Sequence, residues 1–572
     1  MNIDPVEIEV IRNGLVASAD EMFNMVMRTA YGSIIYEVKD FGVIYTDEVG
    51  RVYAQSAGHW GFMGSLPFGI KSCLKEVGDF EEGDAIINNN PYTNGTHLPD
   101  AGIYLPVFYK GEHVAFTACM AHLSDVGGTA PGGWNTDSTE VVQEGLMLCN
   151  MKLFEKGKPN ETIFKIIRNN VRTPDIVEGD LKAMIASCNI GNNRFVEICD
   201  KHGLENVRSG MNDVFERTDR HVRNELRKIP DGSYQSKIEI SDDGVELGKP
   251  VKVQLKLTIK DDKMIVDTTG SSQATKGPVN CPYASSVASA RGIFKSIFNP
   301  NEHANDGDFR AMDFIAPPGS SLHPQYPSPC DSYGHLLNCV MIVTANALGQ
   351  VIPERLIAHW PISTAILLYG PDPKKKDRQF FFGELIHFGM GARYTGDGES
   401  ATAYIGLENT PVEVIETLYP LKVGQYTYHV DSGGAGKFRG GVGLVKDFIA
   451  TADEVFMTSI LEVTPIWGID GGKEGQRSFF EVQLGPEDKP EKFLKKVSLY
   501  GPYKKGGMVR VVTGGGGGRG SPLERDPKQV LEDVIRGFVS IKKAQEEYGV
   551  VINSEASTVE QEATARLRDS KR

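Results

Sequence analysis

Two apolar runs of strand type, Ala101–Tyr109 and His113–Met120, are joined by Lys110-Gly111, a turn signal. Such a hairpin constrains the fold strongly, because a paired strand leaves only its register to be chosen. If Tyr109 pairs with Glu112 across a two-residue turn, Asp100 lies opposite Ala121 and His97 opposite Ser124. The segments flanking the hairpin, Thr96-His97-Leu98-Pro99-Asp100 and Ala121-His122-Leu123-Ser124-Asp125, both read His-x-x-Asp. They meet at its open end.

Imidazole nitrogens are borderline-soft donors and carboxylate oxygens hard ones, so two of the former with one or two of the latter suit Zn²⁺, Mn²⁺ or Fe²⁺. Ca²⁺ would require more oxygens. Pro99 excludes a regular helix through the first pair. The expected ligands are His97, Asp100 and His122, with Asp125 either a fourth ligand or the acceptor that fixes His122. In the competing reading these residues cap loops and bond backbone amides. Glycines surround the hairpin at Gly95, Gly127-Gly128 and Gly132-Gly133, where a ligand-facing loop needs close backbone approach. Of the preceding polar residues Glu37, Asp40, Asp47 and His59, Asp47 reads as a turn former and Asp40 and His59 as pocket candidates.

Asp4-Pro5 followed by Ile8, Ile11, Leu15, Ala19, Met22 and Val26 predicts a capped amphipathic helix of about six turns. Short strands follow at Val43–Tyr45 and Val52–Ala54. Residues 138–225 show helical spacing, and Pro230-Asp231-Gly232 ends it. Strands are expected at Ser233–Ser241, Val251–Thr258 and Lys263–Thr268, and helices at Ala284–Phe298 and Leu336–Leu348. From about 410 the chain is glycine-rich and strand-like up to Thr513, and an amphipathic helix runs from Pro527 to about Tyr548. The class is α+β: an N-terminal domain with the metal-binding hairpin (1–228), a β-rich middle domain with inserted helices (229–410), a glycine-rich β region with the C-terminal helix (411–553), and a tail (554–572) that is frayed or binds a partner.

Lys and Arg number 61 against 75 Asp and Glu, a net charge of −14, which argues against nucleic acid and anionic membrane. No apolar run is long enough to span a bilayer and the N-terminus MNIDPVEIEV is unlike a signal peptide, so a cytoplasmic location is expected. The eight cysteines fall singly and read as reduced. Nucleotide signatures fail: Gly436-Lys437 has Asp431 where a P-loop needs glycine and Phe438 where it needs Ser or Thr. Gly514–Gly518 does not open a helix in a βαβ unit, and its expected role is tight backbone packing or a face toward a ligand or partner. No GxSxG nucleophile motif occurs.

Several long motifs in order resemble the hydantoinase B/oxoprolinase family: Asn89–Asp100, Ala121–Gly128, Gln143–Leu146, Asn170–Arg172 with Glu178–Leu181, Gly277–Asn280, Asp431–Gly436 with Arg439–Gly441, and Gly514–Gly518 with Arg525–Pro527 and Tyr548–Val551. The resemblance covers nearly the whole chain. It implies a hydantoinase A-type partner that binds ATP and Mg²⁺, a hetero-oligomer with two copies of each chain, and either opening of a cyclic amide (lactam, 5-oxoproline, hydantoin) or, in the ketone carboxylases of the family, bicarbonate-dependent carboxylation. It also implies a metal on His97, Asp100 and His122, for which one divalent transition metal, Zn or Mn, is expected; Asp125, Asp40 and His59 are the catalytic candidates that the residues themselves suggest. Two departures stand out. Asn90 replaces an aspartate in Asn89-Asn90-Pro91-Tyr92, and Gly42 stands where serine is usual.

Overall fold

The computed structural model describes residues 3–571 except 363, 376–377, 403–405, 462–463 and 495–496. The chain divides into two compact units, Met1–Ala347 with Ile405–Leu407, and Leu348–Tyr404 with Glu408–Arg572. Its class is α+β.

In the first unit α1 (Pro5–Thr29) and α2 (Ser33–Tyr36) lead into β1 (Phe41–Asp47) and β2 (Val52–Gln55). Then come α3 (Trp60–Glu76), β3 (Ala85–Asn88), α4 (Pro91–Asn94) and the hairpin of β4 (Asp100–Tyr109) and β5 (Glu112–His122). With β6 (Met151–Glu155) and β7 (Lys158–Pro159) these strands make an antiparallel sheet of order β2-β1-β5-β4-β3-β6-β7. After α5 (Glu161–Asn170), α6 (Pro174–His202) and α7 (Leu204–Leu226) come β8 (Gly232–Ile240), β9 (Val251–Lys260) and β10 (Lys263–Asp267). The unit continues with α8 (Tyr283–Phe298), β11 (Met312–Ile315) and α9 (Gly334–Gly349), and the second sheet has the order β11-β10-β9-β8.

The Asp4 carboxylate accepts from the Val6 N–H at 2.9 Å and caps α1, whose Ile8, Ile11, Leu15, Ala19 and Met22 enter the core as their spacing requires. The central strands are buried on both faces. In β1, Phe41, Val43 and Tyr45 pack in the cluster formed with α1 and α6, while Ile44 packs in the cluster with Phe62, Met63 and Leu66 of α3. In β5, Cys119 and Ala121 face the first cluster and Phe116, Ala118 and Met120 the second. Side-chain alternation therefore assigns even-numbered β1 and β5 residues to the α3 face.

In this unit two expectations need correction. The spacing over 138–160 is not helical structure: Val141–Gln143 is a single 3₁₀ turn, and Met151–Glu155 is recruited as a strand by pairing with β3, a tertiary demand that overrides local spacing. In the hairpin, Tyr109 does pair with Glu112, but the register shifts at Val107/Phe108 and Asp100 lies opposite His122 rather than Ala121. The ten residues of β4 face eleven in β5, and a bulge near the turn absorbs the difference.

The second unit contains β12 (Thr364–Pro371), β13 (Gln379–Leu385), α10 (Val412–Leu418), β14 (Leu421–Tyr428), β15 (Leu444–Ala450), β16 (Val455–Leu461), β17 (Phe479–Gln483), β18 (Glu491–Phe493), β19 (Val497–Tyr503) and β20 (Met508–Val512). They form two sheets, β13-β12-β16-β19 and β14-β15-β20-β17-β18, that share one apolar core. Gly514–Gly518 lies in a bundle of extended glycine-rich segments. The successive N–H groups of Gly515, Gly516, Gly517 and Gly518 donate to the carbonyls of Gln476, Gly441, His359 and Lys473 at 2.8–3.1 Å. A sheet strand would send them to one or two neighbours; here three successive groups turn to three different segments and the fourth returns to the first, at Lys473 beside Gln476, the three-residue periodicity of extended polyglycine-type helices. Side chains are excluded: a Cβ on Gly516 would stand 1.9 Å from the Met390 carbonyl oxygen. The C-terminal helix is interrupted. Gly537, with φ +74°, separates α11 (Pro527–Ile535) from α12 (Ile541–Glu546). The last helix, α13 (Gln561–Lys571), is docked, with Arg568 donating to the carbonyls of Tyr548 at 3.0 Å and Arg525 at 2.7 Å.

Candidate metal centre

Three adjacent strand ends bring polar residues together. Asp100 opens β4, His122 closes β5, and Asp40 precedes β1, where the His122 N–H donates to its carbonyl at 3.1 Å. Directly opposed residues share a face, and parity places these on the side of α3. His97 joins them from the loop before β4, and His59 stands at the N-cap of α3, its N–H on the Phe41 carbonyl at 3.0 Å. All five are buried.

The donor atoms of His97, Asp100 and His122 form the one cluster among the described residues suited to a metal ion. His97 Nε2 is 3.1 Å from Asp100 Oδ1 and 3.1 Å from His122 Nδ1, and His122 Nδ1 is 2.9 Å from Asp100 Oδ1. Metal–ligand bonds of about 2.0–2.1 Å require ligand–ligand edges of about 3.0 Å in an octahedron to about 3.3 Å in a tetrahedron, so the triangle is of the right size. The donor chemistry also fits. The His97 Nδ1 faces acceptors, the Asp331 carbonyl at 2.9 Å and its Oδ1 at 3.0 Å, so Nδ1 carries a hydrogen and Nε2 is the nitrogen left for a metal to take in place of a proton. The free Oδ2 of Asp100 accepts from Tyr333 Oη at 3.2 Å, which turns Oδ1 toward the imidazoles.

The electrostatics favour a cation at this point. Burial opposes a charged His97, yet Asp100 and Asp331 outweigh it and hold its pKa well above the ordinary histidine value. Burial likewise opposes an ionised Asp100, and His97 and His122 outweigh it and hold its carboxyl below the usual range. Asp40 behaves differently. Burial raises its pKa against the pull of His59, His122 and His97, and its Oδ1 is buried without a hydrogen-bond partner. Burial lowers the pKa of His59, whose Nδ1 accepts from the Phe62 N–H at 3.3 Å.

Asp125 is not part of this cluster. Its carboxylate accepts from the N–H groups of Gly127 at 3.3 Å, Gly132 at 3.1 Å and Arg172 at 2.6 Å, and from Arg172 Nη1 at 2.9 Å. These bonds use its oxygens to tie the glycine-rich loop to Arg172. Asn90 caps α4, its Oδ1 accepting from the Tyr92 N–H at 3.0 Å. Sequence reasoning missed Asp331 and Tyr333, which lie far from the hairpin in the chain; their only local signal is the Pro327-Ser328-Pro329 loop before them. It also left Glu144 without a role. The Glu144 carboxylate accepts from Ser138 Oγ at 2.8 Å, from the Cys330 N–H at 2.9 Å and from the Asp331 N–H at 3.0 Å.

All eight cysteines are free, and among the described residues no helix is long and apolar enough to cross a membrane. The chain is 32% identical over 591 residues to a protein of Pseudomonas sp. (strain NS671) provisionally named as the B-type chain of a D-/L-hydantoinase, covering 99% of this chain and 98% of that one. It is 31% identical over 581 residues to the beta chain of the caprolactamase of Pseudomonas jessenii, covering 96% and 97%. The crystal structure of the ATP-dependent caprolactamase from Pseudomonas jessenii superposes with a TM-score of 0.90 at 28% identity over 100% of both chains. The sequence profile described as hydantoinase B/oxoprolinase matches residues 4–522, and the chain belongs to that family.

Proposed function

We propose that this chain is the metal-bearing component, of hydantoinase B type, of an ATP-dependent enzyme that opens cyclic amides, working beside an ATP-binding partner of hydantoinase A type. The observation that carries the reading is the buried triangle of His97 Nε2, Asp100 Oδ1 and His122 Nδ1, with edges of 2.9–3.1 Å, in a chain related along its length to one chain of a caprolactamase. An unstrained amide is a poor electrophile, which is why ATP is consumed: phosphorylation of the amide oxygen by the partner would leave a carbon that water can attack, after which the C–N bond breaks with a proton passing to nitrogen and a second water releases phosphate from the acyl phosphate. A divalent transition metal held by the three residues would supply Lewis acidity, lowering the pKa of a water toward about 7. Asp40, buried beside the triangle with Oδ1 unpartnered and its pKa raised by burial, receives the proton that the attacking water gives up. His59, kept neutral by burial, borders Asp40 and excludes bulk water from that proton. Tyr333 holds Asp100 in its binding orientation. Asp125 acts on the glycine loop rather than on reacting atoms.

The test is elemental analysis by plasma mass spectrometry of the wild type, His97→Ala and His122→Ala, each produced with the partner. About one transition metal per chain is expected in the wild type, Zn or Mn, lost in both variants together with ATP-dependent ring opening of a lactam, oxoproline or hydantoin. Metal that survives both substitutions would refute the site. Bicarbonate-dependent C–C bond formation on a ketone, in place of ring opening, would assign the chain to a carboxylase instead.

A further inference from the structure

Asp331 and Glu144 are buried carboxylates that give no donor to the metal triangle; Asp331 bonds to His97 of the triangle, and Glu144 bonds to the backbone that carries Asp331. We propose that Asp331, held in place by Glu144, is a positioning residue that fixes His97 in the tautomer and orientation presenting Nε2 to the metal. The inference rests on the metal reading of His97, Asp100 and His122.

Two acceptors of the same residue converge on one imidazole nitrogen: the Asp331 carbonyl at 2.9 Å and Oδ1 at 3.0 Å from His97 Nδ1. Both atoms accept only, so Nδ1 keeps a hydrogen, and the imidazole that a metal would bind in place of the second proton presents the lone pair of Nε2. A carboxylate on the far nitrogen also makes the ring a stronger base toward a metal. The acceptors are themselves held. Glu144 takes the N–H groups of Cys330 and Asp331, so the backbone that carries them cannot swing away, and Asp331 Oδ2 accepts from the Asn135 N–H. A loop tie alone would have no need of a second acceptor on the ring. Asp125 provides the contrast: it is equally buried and pins the other part of the same loop, but touches neither histidine.

The experiment uses the full chain, stripped of metal, and Co²⁺ as the probe, with visible absorption reporting the coordination sphere and chelator competition giving the dissociation constant; neither substrate nor partner is needed. One Co²⁺ per wild-type chain is expected. Asp331→Ala, which keeps only the backbone carbonyl on Nδ1, should weaken its binding by about 10-fold, and Asp331→Asn, whose amide oxygen still accepts from Nδ1–H but whose NH2 is set against the Asn135 N–H, should recover part of the loss. Asp125→Asn should lower the melting temperature while leaving the Co²⁺ affinity within about twofold of wild type. If Asp331→Ala does not fold, Asp331→Ser keeps the loop small and polar and makes the same comparison. Wild-type affinity in the Ala or Ser variant overturns the inference and leaves the metal reading standing. Absence of Co²⁺ from wild type, or unchanged binding by His97→Ala, overturns the metal reading and the inference with it.

Discussion

Asp180, inside α6, offers a pH-dependent test of how the first unit is held together. Its Oδ1 accepts from the N–H groups of Tyr31 at 2.7 Å and Gly32 at 2.9 Å, joining α6 to the turn after α1, while Oδ2 is buried with no hydrogen-bond partner. Burial raises its pKa from 3.8 to about 6, against the two N–H groups that favour the charged form. The folded chain therefore holds this proton more tightly than the unfolded one. Its contribution to stability is fully present below about pH 4 and is lost as pH rises through about 6. At about 1.36 kcal/mol per pKa unit the loss amounts to about 3 kcal/mol. Asp180→Asn keeps an oxygen for both N–H groups and cannot ionise. Unfolding of the wild type and the variant should be compared by calorimetry from pH 4 to pH 8, since carboxylates common to both cancel in the difference. The variant should gain on the wild type between pH 4 and pH 7, by up to about 3 kcal/mol, and level off above. A flat difference, or one of opposite sign, would show that the two N–H groups hold Asp180 ionised and that burial does not control its charge.

Lys446 and Glu384 form a fully buried ion pair in the second unit, Nζ lying 3.0 and 2.8 Å from the two carboxylate oxygens, and the Thr410 N–H donates to Oε1 at 2.6 Å. Lys446→Met strands a buried carboxylate and should cost about 3–5 kcal/mol, most of it restored by Lys446→Met with Glu384→Gln, in denaturant unfolding of the second unit. Gly516→Ala pushes a methyl to 1.9 Å from the Met390 carbonyl oxygen, where only backbone can yield; soluble yield and melting should show a loss of about 4 kcal/mol or more. Tyr333→Phe removes the donor to Asp100 Oδ2 and should weaken metal retention about tenfold under chelator challenge while leaving the melting temperature of the metal-free chain nearly unchanged.

Local chemistry made much of the first unit legible. Asp4-Pro5 marks the start of α1, Lys110-Gly111 marks the turn, and the paired His-x-x-Asp segments lead to three residues that do converge. The helix Trp60–Glu76 was hidden because Gly61, Gly64, Pro67 and Gly69 break the usual signature; the glycines are close-approach points, as where a Cβ on Gly64 would meet that of Ala288 at 2.7 Å. Strand alternation was invisible in β1 because all seven of its residues are buried, so both faces are apolar. Asp331, Tyr333 and Glu144 could not be read from spacing at all, since their hydrogen bonds exist only once distant segments are packed together. The break at Gly537 was legible in principle, a glycine after a helical turn, but the apolar spacing ran on across it.

The bulge in the hairpin separates two jobs along one pair of strands. Because β5 is one residue longer than β4 and the mismatch is taken up at Val107/Phe108, beside the turn, the pairing from there to Asp100 and His122 is regular. Pairing of β5 with β1 on its other side holds the same end in register from Phe41↔Ala121 onward. The chemical end is thus indexed from its neighbours and not by counting back from the turn. Shortening β5 by its one surplus residue near the turn would give a plain ladder with His122 still facing Asp100, so the hairpin tip is a place where loops and tags can be grafted without moving a donor atom.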